Sequence, residues 1–188
     1  MRRESLKPRE GWQTRLEEAG CFYHTIDGKP YWQEEAAYVF SAAEIDKIEA
    51  AANELHGMCM DLATYVVTNG AYKGYGFPDE VKAVVEDSWH ASEPHLFGRF
   101  DLGYDGTALK LYEYNADTPT SLPEASVWQW HVKEDRGWPD QFNSLHEELG
   151  ARWRHVHASA IDLPPERVHF SASAEGRHED FGNLHYMM

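Results

Sequence analysis

The sequence predicts a mixed α/β fold, with long helices packed on a small mixed sheet. Three observations carry this. Behind Ser41-Ala42-Ala43-Glu44, which has the pattern of a capping box, Ile45, Ile48, Ala52, Leu55, Met58, Cys59, Leu62 and Val66 recur every three or four places. That is the period of one helix face. Two short runs, Phe97–Tyr104 and Leu109–Asn115, instead read as strands, with charged and polar residues two apart. A hydrophobic fraction of 42% and an aromatic fraction of 13% over 188 residues suffice to bury a core.

Taken in order, a basic lead-in precedes a short helix near Trp12–Ala19, stopped by Gly20. Asp27-Gly28 then separates two short strands, Phe22–Ile26 and Pro30–Trp32, as a hairpin signal. The long helix closes at Asn69-Gly70. Its methionines and Cys59 read as core packing. A second helix, Pro78 to His90, places Val81, Val84, Val85 and Trp89 on one face. After the two strands, Ser121-Leu122-Pro123-Glu124 reads as another capping box, starting a helix to about Lys133. Pro139 opens a third long helix to about Ala158. Leu163-Pro164-Pro165 is a turn, Val168–Ser171 a strand, Ala174–Gly176 a loop, and Glu179 onward is helical. The last residues, Leu184 to Met188, are apolar and carry no stop signal, as in a truncated chain.

Composition narrows the partners. Seventeen basic against 32 acidic residues give a formal charge of −15. Such a surface disfavours nucleic acid and anionic membrane and attracts cationic ligands such as polyamines. Two cysteines, Cys21 and Cys59, make no disulfide framework, and no signal peptide or membrane-length apolar run is present, so a reducing cytoplasm is expected.

The chemistry concentrates between Gly98 and Ser121. Residues two apart on a strand share a face, so Arg99 with Asp101, and Glu113 with Asn115, can line one side of a ribbon. Oxygen donors with a guanidinium suit magnesium and phosphate. Register decides whether they meet. A two-residue turn at Asp105-Gly106 would make paired numbers sum to 211, placing Asp101 against Lys110. A five-residue loop over 105–109 makes them sum to 214, with Asp101 facing Glu113 and Arg99 facing Asn115. The metal reading requires the second. Facing carboxylates repel unless a cation lies between them. The competing reading is a solvated face on which Arg99 and Lys110 neutralise the acids.

The runs Gly98-Arg99-Phe100-Asp101 and Leu111-Tyr112-Glu113-Tyr114-Asn115-Ala116-Asp117-Thr118 resemble the glutathionylspermidine synthase family of ATP-grasp carboxylate–amine ligases. Gly11-Trp12-Gln13, Asp27 to Trp32, Glu54 to Cys59 and Trp128-Gln129-Trp130 resemble it too. The similarity covers residues from about 8 to about 160, with 161–188 as the incomplete start of the next αβ unit. The resemblance implies a pre-ATP-grasp-like fold, cut before the lysines that hold ATP and before the lid. It implies ATP and Mg2+ as cofactors, a peptide carboxylate and an amine as substrates, and an acyl phosphate intermediate. By position, Arg99, Phe100 and Asp101 fall at the nucleotide phosphate, with Arg99 the catalytic residue, and Asp101, Glu113 and Asn115 at the metal. Thr118, where serine is the spermidine enzymes' residue, falls at the peptide, and Glu179 and Asp180 at the substrates. Alone, such a chain is expected to bind metal weakly and not turn over.

Other readings explain less. His155, His157 and His169 lack a cysteine or acidic partner for zinc. Asp101 and Glu113 as a glycosidase pair leave Arg99 and Asn115 without a role. A non-catalytic metal- or polyamine-binding remnant or subunit is the alternative from another class.

Overall fold

The computed structural model describes residues 1–116, 120–159, 168–172 and 178–188. Among these, helices and three two-stranded antiparallel ladders give the expected mixed α/β class. The first ladder pairs β1 (Arg2–Ser5) with β4 (Ala36–Val39). The hairpin β2 (Thr25–Ile26) and β3 (Lys29–Pro30) turns at Asp27 and Gly28, both at positive φ, the two-residue geometry this dipeptide favours. The third ladder pairs β5 (Arg99–Tyr104) with β6 (Leu109–Asn115).

The main buried cluster is aromatic. Helix α1 (Trp12–Glu18) contributes Leu16, the segment after it Cys21 and Tyr23, and the later chain Trp128. Trp128 is 1% exposed, lies edge-on to Tyr23 and Trp32, and donates its indole N–H to Ala19 O. Burial pushes the Cys21 thiol up to about 12. Beside this cluster, the Arg9 guanidinium makes two bonds to the Glu34 carboxylate, at 2.7 and 3.1 Å, and one to Asp135 at 2.6 Å, while Arg15 also holds Asp135. These bonds tie the N-terminal segment to the helix that carries Asp135, Gln129–Arg136.

Helix α2 (Ala42–Thr68) starts with the expected capping box between Ser41 and Glu44 and ends at Asn69, with Gly70 left-handed. Its core reading is corrected at Met58. Met58, Leu62 and Tyr65 form a stripe about 60% exposed, and only Val67 of the helix is fully buried. Periodicity marks an apolar stripe; it does not specify what covers it. Helix α3 spans Asp79–Ala91 as expected.

Four further differences have local causes. β1 was missed because Arg-Arg-Glu-Ser has little intrinsic strand preference, and its pairing partner lies over thirty residues away. Ser121 does not cap: it sits at φ 75, and the Leu122 amide is taken by Asn183 Oδ1 at 2.9 Å. The chain there makes a π-helical turn, Glu124–Trp128, running into α4 (Gln129–Arg136). The third long helix, α5, spans Leu145–Ser159 rather than starting at Pro139. Asp140 and Asn143 bond the backbone amides of Gln141 and Leu145, which competes with helix continuation. Val168–Ser171 forms no strand; Phe170 packs edge-on to Trp153 instead. Helix α6 (His178–Met187) begins where expected. The turn at 163–165 and the loop at 174–176 lie outside the described residues.

Candidate functional site

The β5–β6 register is the one the metal reading required. Arg99 pairs with Asn115, Phe100 with Tyr114 and Asp101 with Glu113. The route differs from the expected five-residue loop. The connection is four residues, 105–108, and the register slips between Asp101 and Leu102, so that Leu102 pairs with Leu111. Tyr112 is the extra residue of that bulge. A bulge next to a functional site re-aims side chains, and this one supplies the residue the shorter loop lacks.

Local bonds fix the connection. Asp105 Oδ1 accepts from the amides of Thr107 and Ala108, at 2.8 and 2.7 Å, which holds its carboxyl below the usual range. Lys47 of α2 reaches Thr107 O, and the Tyr104 hydroxyl bonds Gly106 O at 3.0 Å. On the reverse face, Tyr114 stacks on Phe100 with centroids 4.1 Å apart, and its hydroxyl meets His56 Nδ1 of α2 at 3.1 Å. Phe100 therefore faces away from the charged residues and packs the ribbon. Close approach requires glycine at Gly98, where the Tyr114 ring is held in place, and brings the exposed Tyr112 side chain over Gly103. A Cβ on Gly98 would lie 2.5 Å from the Tyr114 ring, and one on Gly103 2.7 Å from the Tyr112 hydroxyl.

On the charged face, Arg99 Nε bonds Asp101 Oδ1 at 3.1 Å, and Nη1 reaches Thr120 O and Oγ1 at 3.2 and 3.3 Å. Nη2 has no partner among the described residues. Glu113 faces Asp101 and has no ion-pair partner among the described residues. The Asn115 Nδ2 atom is buried and has no partner among the described residues. Among the described residues no three His, Cys, Asp or Glu side chains come together. A cation here would therefore rely on two carboxylates, the Asn115 amide oxygen, and oxygens that a ligand brings. That donor set fits a hard divalent ion carried with phosphates.

Thr118 lies outside the described residues. Glu179 and Asp180 open α6, and Glu179 lies close enough to Tyr31 to act on its ionisation. There the structure adds a residue that sequence reasoning used only as a cap. Glu124 Oε1 accepts from both Tyr31 and Tyr23, at 2.8 and 3.2 Å, while Oε2 is buried and has no partner among the described residues. Burial first, and Glu124 next to it, push both tyrosine hydroxyls well above their ordinary range. Gly182 of α6 has no room for a side chain, because a Cβ would sit 2.6 Å from the Tyr23 hydroxyl. Thr120 was also missed. The bonds Arg99–Thr120 and Leu122–Asn183 run from the ribbon to α6 through the 120–124 segment, and Glu124 joins that segment to Tyr31.

The family described as "Glutathionylspermidine synthase preATP-grasp" matches residues 3–188. This chain belongs to that family. A Haemophilus influenzae protein named "Putative acid–amine ligase" is 46% identical over 164 residues, covering 86% of this pre-ATP-grasp chain and 41% of that protein. A Crithidia fasciculata glutathionylspermidine synthase is 32% identical over 111 residues, 56% of this chain and 15% of its own length. The Escherichia coli bifunctional glutathionylspermidine synthetase/amidase is 28% identical over 128 residues, 64% of this chain and 20% of its own. The pre-ATP-grasp chain thus spans about two fifths of the first relative and a fifth or less of the others.

Proposed function

We propose that the chain forms one wall of an ATP- and magnesium-dependent ligase that joins a peptide carboxylate to an amine through an acyl phosphate. The observation that carries this reading is the pairing of Asp101 with Glu113 and of Arg99 with Asn115 on one face. Asp101, Glu113 and the amide oxygen of Asn115 would hold the cation, which when bound neutralises phosphoryl oxygens. Arg99 keeps Nη2 for a phosphoryl oxygen while Thr120 and Asp101 fix its plane. Thr118 is assigned to the peptide by resemblance. Glu179 and Asp180, joined by Glu124, whose Oε2 has no partner among the described residues, make the acidic end that suits a protonated amine or polyamine. No nucleophile or general base is asked of the ribbon, since positioning and charge neutralisation carry phosphoryl transfer.

Manganese replaces magnesium at oxygen sites and broadens nearby NMR signals, so it tests the ribbon without turnover. In the 188-residue chain, Mn2+ should broaden the amides of 99–101 and 113–115 first, and Asp101→Asn with Glu113→Gln should abolish that selectivity. Broadening that persists unchanged in the double variant overturns the metal assignment. The alternative, a non-catalytic metal- or polyamine-binding remnant or subunit, predicts that the metal ion alone or spermidine binds, spermidine shifting the first turn of α6, while ATP adds nothing to the effect of the metal on the ribbon.

A further inference from the structure

A cleft of about 770 Å3 lies between two layers of the fold, and none of the site residues assigned above lines it. Its floor is one face of the β1–β4 ladder. Opposite residues of an antiparallel pair share a face, and Arg2 pairs with Val39 and Glu4 with Ala37. All four line the cleft, whereas Arg3 and Ser5, which alternate with Arg2 and Glu4 along β1, do not. Its roof is one face of α4, formed by Gln129, Val132, Lys133 and Arg136 at helical spacing and continued by the 138–142 segment. With alanine at 37 and valine at 132, the facing layers do not fill the space between them. The volume is that of a small-molecule site.

Three properties of the lining select the ligand. The first is charge. Arg2, Lys133 and Arg136 stand against Glu4, Glu34 and Asp140, so the fixed charges cancel. The cations are also committed: Arg2 bonds Glu4 at 2.7 Å, Arg136 lies 3.5 Å from Glu34, and Lys133 bonds Glu134 at 2.7 Å. That balance favours an uncharged ligand over an ion of either sign. The second is shape. Phe142 stacks one ring face on Phe40, with centroids 5.5 Å and planes 8° apart, and is still 50% exposed. Trp32 and Trp138 line the cleft as well. Such walls take a flat ring by offset or edge-on packing. The third is hydrogen bonding. Two lining residues each carry a buried polar atom with no partner among the described residues, the Arg136 Nε–H donor and the Gln141 Oε1 acceptor. Each costs stability until a complementary group meets it. We propose that the cleft binds an uncharged aromatic ring bearing a carboxamide or lactam edge, whose carbonyl accepts from Arg136 and whose N–H donates to Gln141. This site is separate from the ribbon and does not depend on the ligase reading.

The test titrates the 15N-labelled 188-residue chain with benzamide, benzoate and benzamidine, planar isosteres that are neutral, anionic and cationic. Benzamide offers both a carbonyl and an N–H, benzoate only acceptors and benzamidine only donors. Benzamide should shift the amides of Ala37, Val39, Val132 and Gln141 saturably, at about millimolar concentration as befits a fragment of this size. The two ions should bind about tenfold or more weakly. Gln141→Met removes an acceptor that has no partner among the described residues, and should weaken benzamide about fivefold while leaving benzoate unchanged. The comparison of the three probes on the parent chain needs no variant, so it decides the ligand class even if that substitution disturbs the segment. The proposal is overturned if benzamide gives no saturable shift at those amides, if either ion binds as well as benzamide, or if a folded Gln141→Met chain keeps the parent's benzamide affinity.

Discussion

Replacing Glu113 by glutamine removes one of two carboxylates that face each other across β5 and β6. Directly opposite residues have Cβ atoms about 5 Å apart. Two unit charges at that distance repel by about 0.8 kcal/mol in bulk water and about 3 kcal/mol at an effective dielectric constant near 20. The Asp101 side chain is 45% exposed, which places the pair near the aqueous limit, and Arg99 at 3.1 Å offsets part of the repulsion. Glu113→Gln should therefore stabilise the metal-free chain by about 0.5–1 kcal/mol, raising Tm by about 1–4 °C for a domain of this size. Magnesium should reverse the order, because a cation between the carboxylates stabilises only the parent chain. Urea unfolding in EDTA and in MgCl2, at matched ionic strength, reads both effects. A variant that gains nothing in EDTA and responds to magnesium as the parent does would refute the reasoning.

Two further outcomes follow from packing and charge. Gly98→Ala should cost about 1–3 kcal/mol in urea unfolding. The new Cβ would lie 2.5 Å from a Tyr114 ring that Phe100 and His56 prevent from moving aside. At Glu34, burial raises the carboxyl pKa, but bonds from Arg9 and Trp32 outweigh it, and the net value lies below the ordinary carboxylate range. The stability it contributes is thus complete at neutral pH and is lost as acid takes the solution down through that depressed value. Glu34→Gln should cost about 3 kcal/mol at neutral pH, at the lower end for a broken buried pair because Asp135 still holds Arg9 at 2.6 Å. Its unfolding midpoint should fall less steeply than the parent's between neutral and acid pH.

What was legible in the sequence was what neighbouring residues decide. Ser41 and Glu44 bond each other three residues apart, and Asp27-Gly28 dictates its own turn, so both stand where expected. The strands at 99–104 and 109–115 were legible because a period of two is itself local. Elements decided by distant partners were not. β1 exists because β4 pairs with it, and Glu124 leaves its cap because Tyr23 and Tyr31, about a hundred residues earlier, offer two hydroxyls. Asp140 and Asn143 delay α5 through bonds within two residues, a signal that was in the sequence and was outweighed by Pro139.

The candidate site shows how these two kinds of information combine. Alternation alone put Arg99 with Asp101 and Glu113 with Asn115, but it could not bring the two pairs together, because a slip of one residue sends one pair to the opposite face. The structure sets that register with residues a ligand would not touch. Asp105 folds the connection to four residues, and Lys47 anchors it to α2. The bulge at Tyr112 restores the offset, and Gly103 leaves space for the tyrosine ring. Tyr114, seated over Gly98 and bonded to His56, fixes the bonded end. Alignment of the acids is therefore a property of the reverse face. Substitutions at Gly98 or His56 should disturb cation binding on a face where neither of their side chains appears.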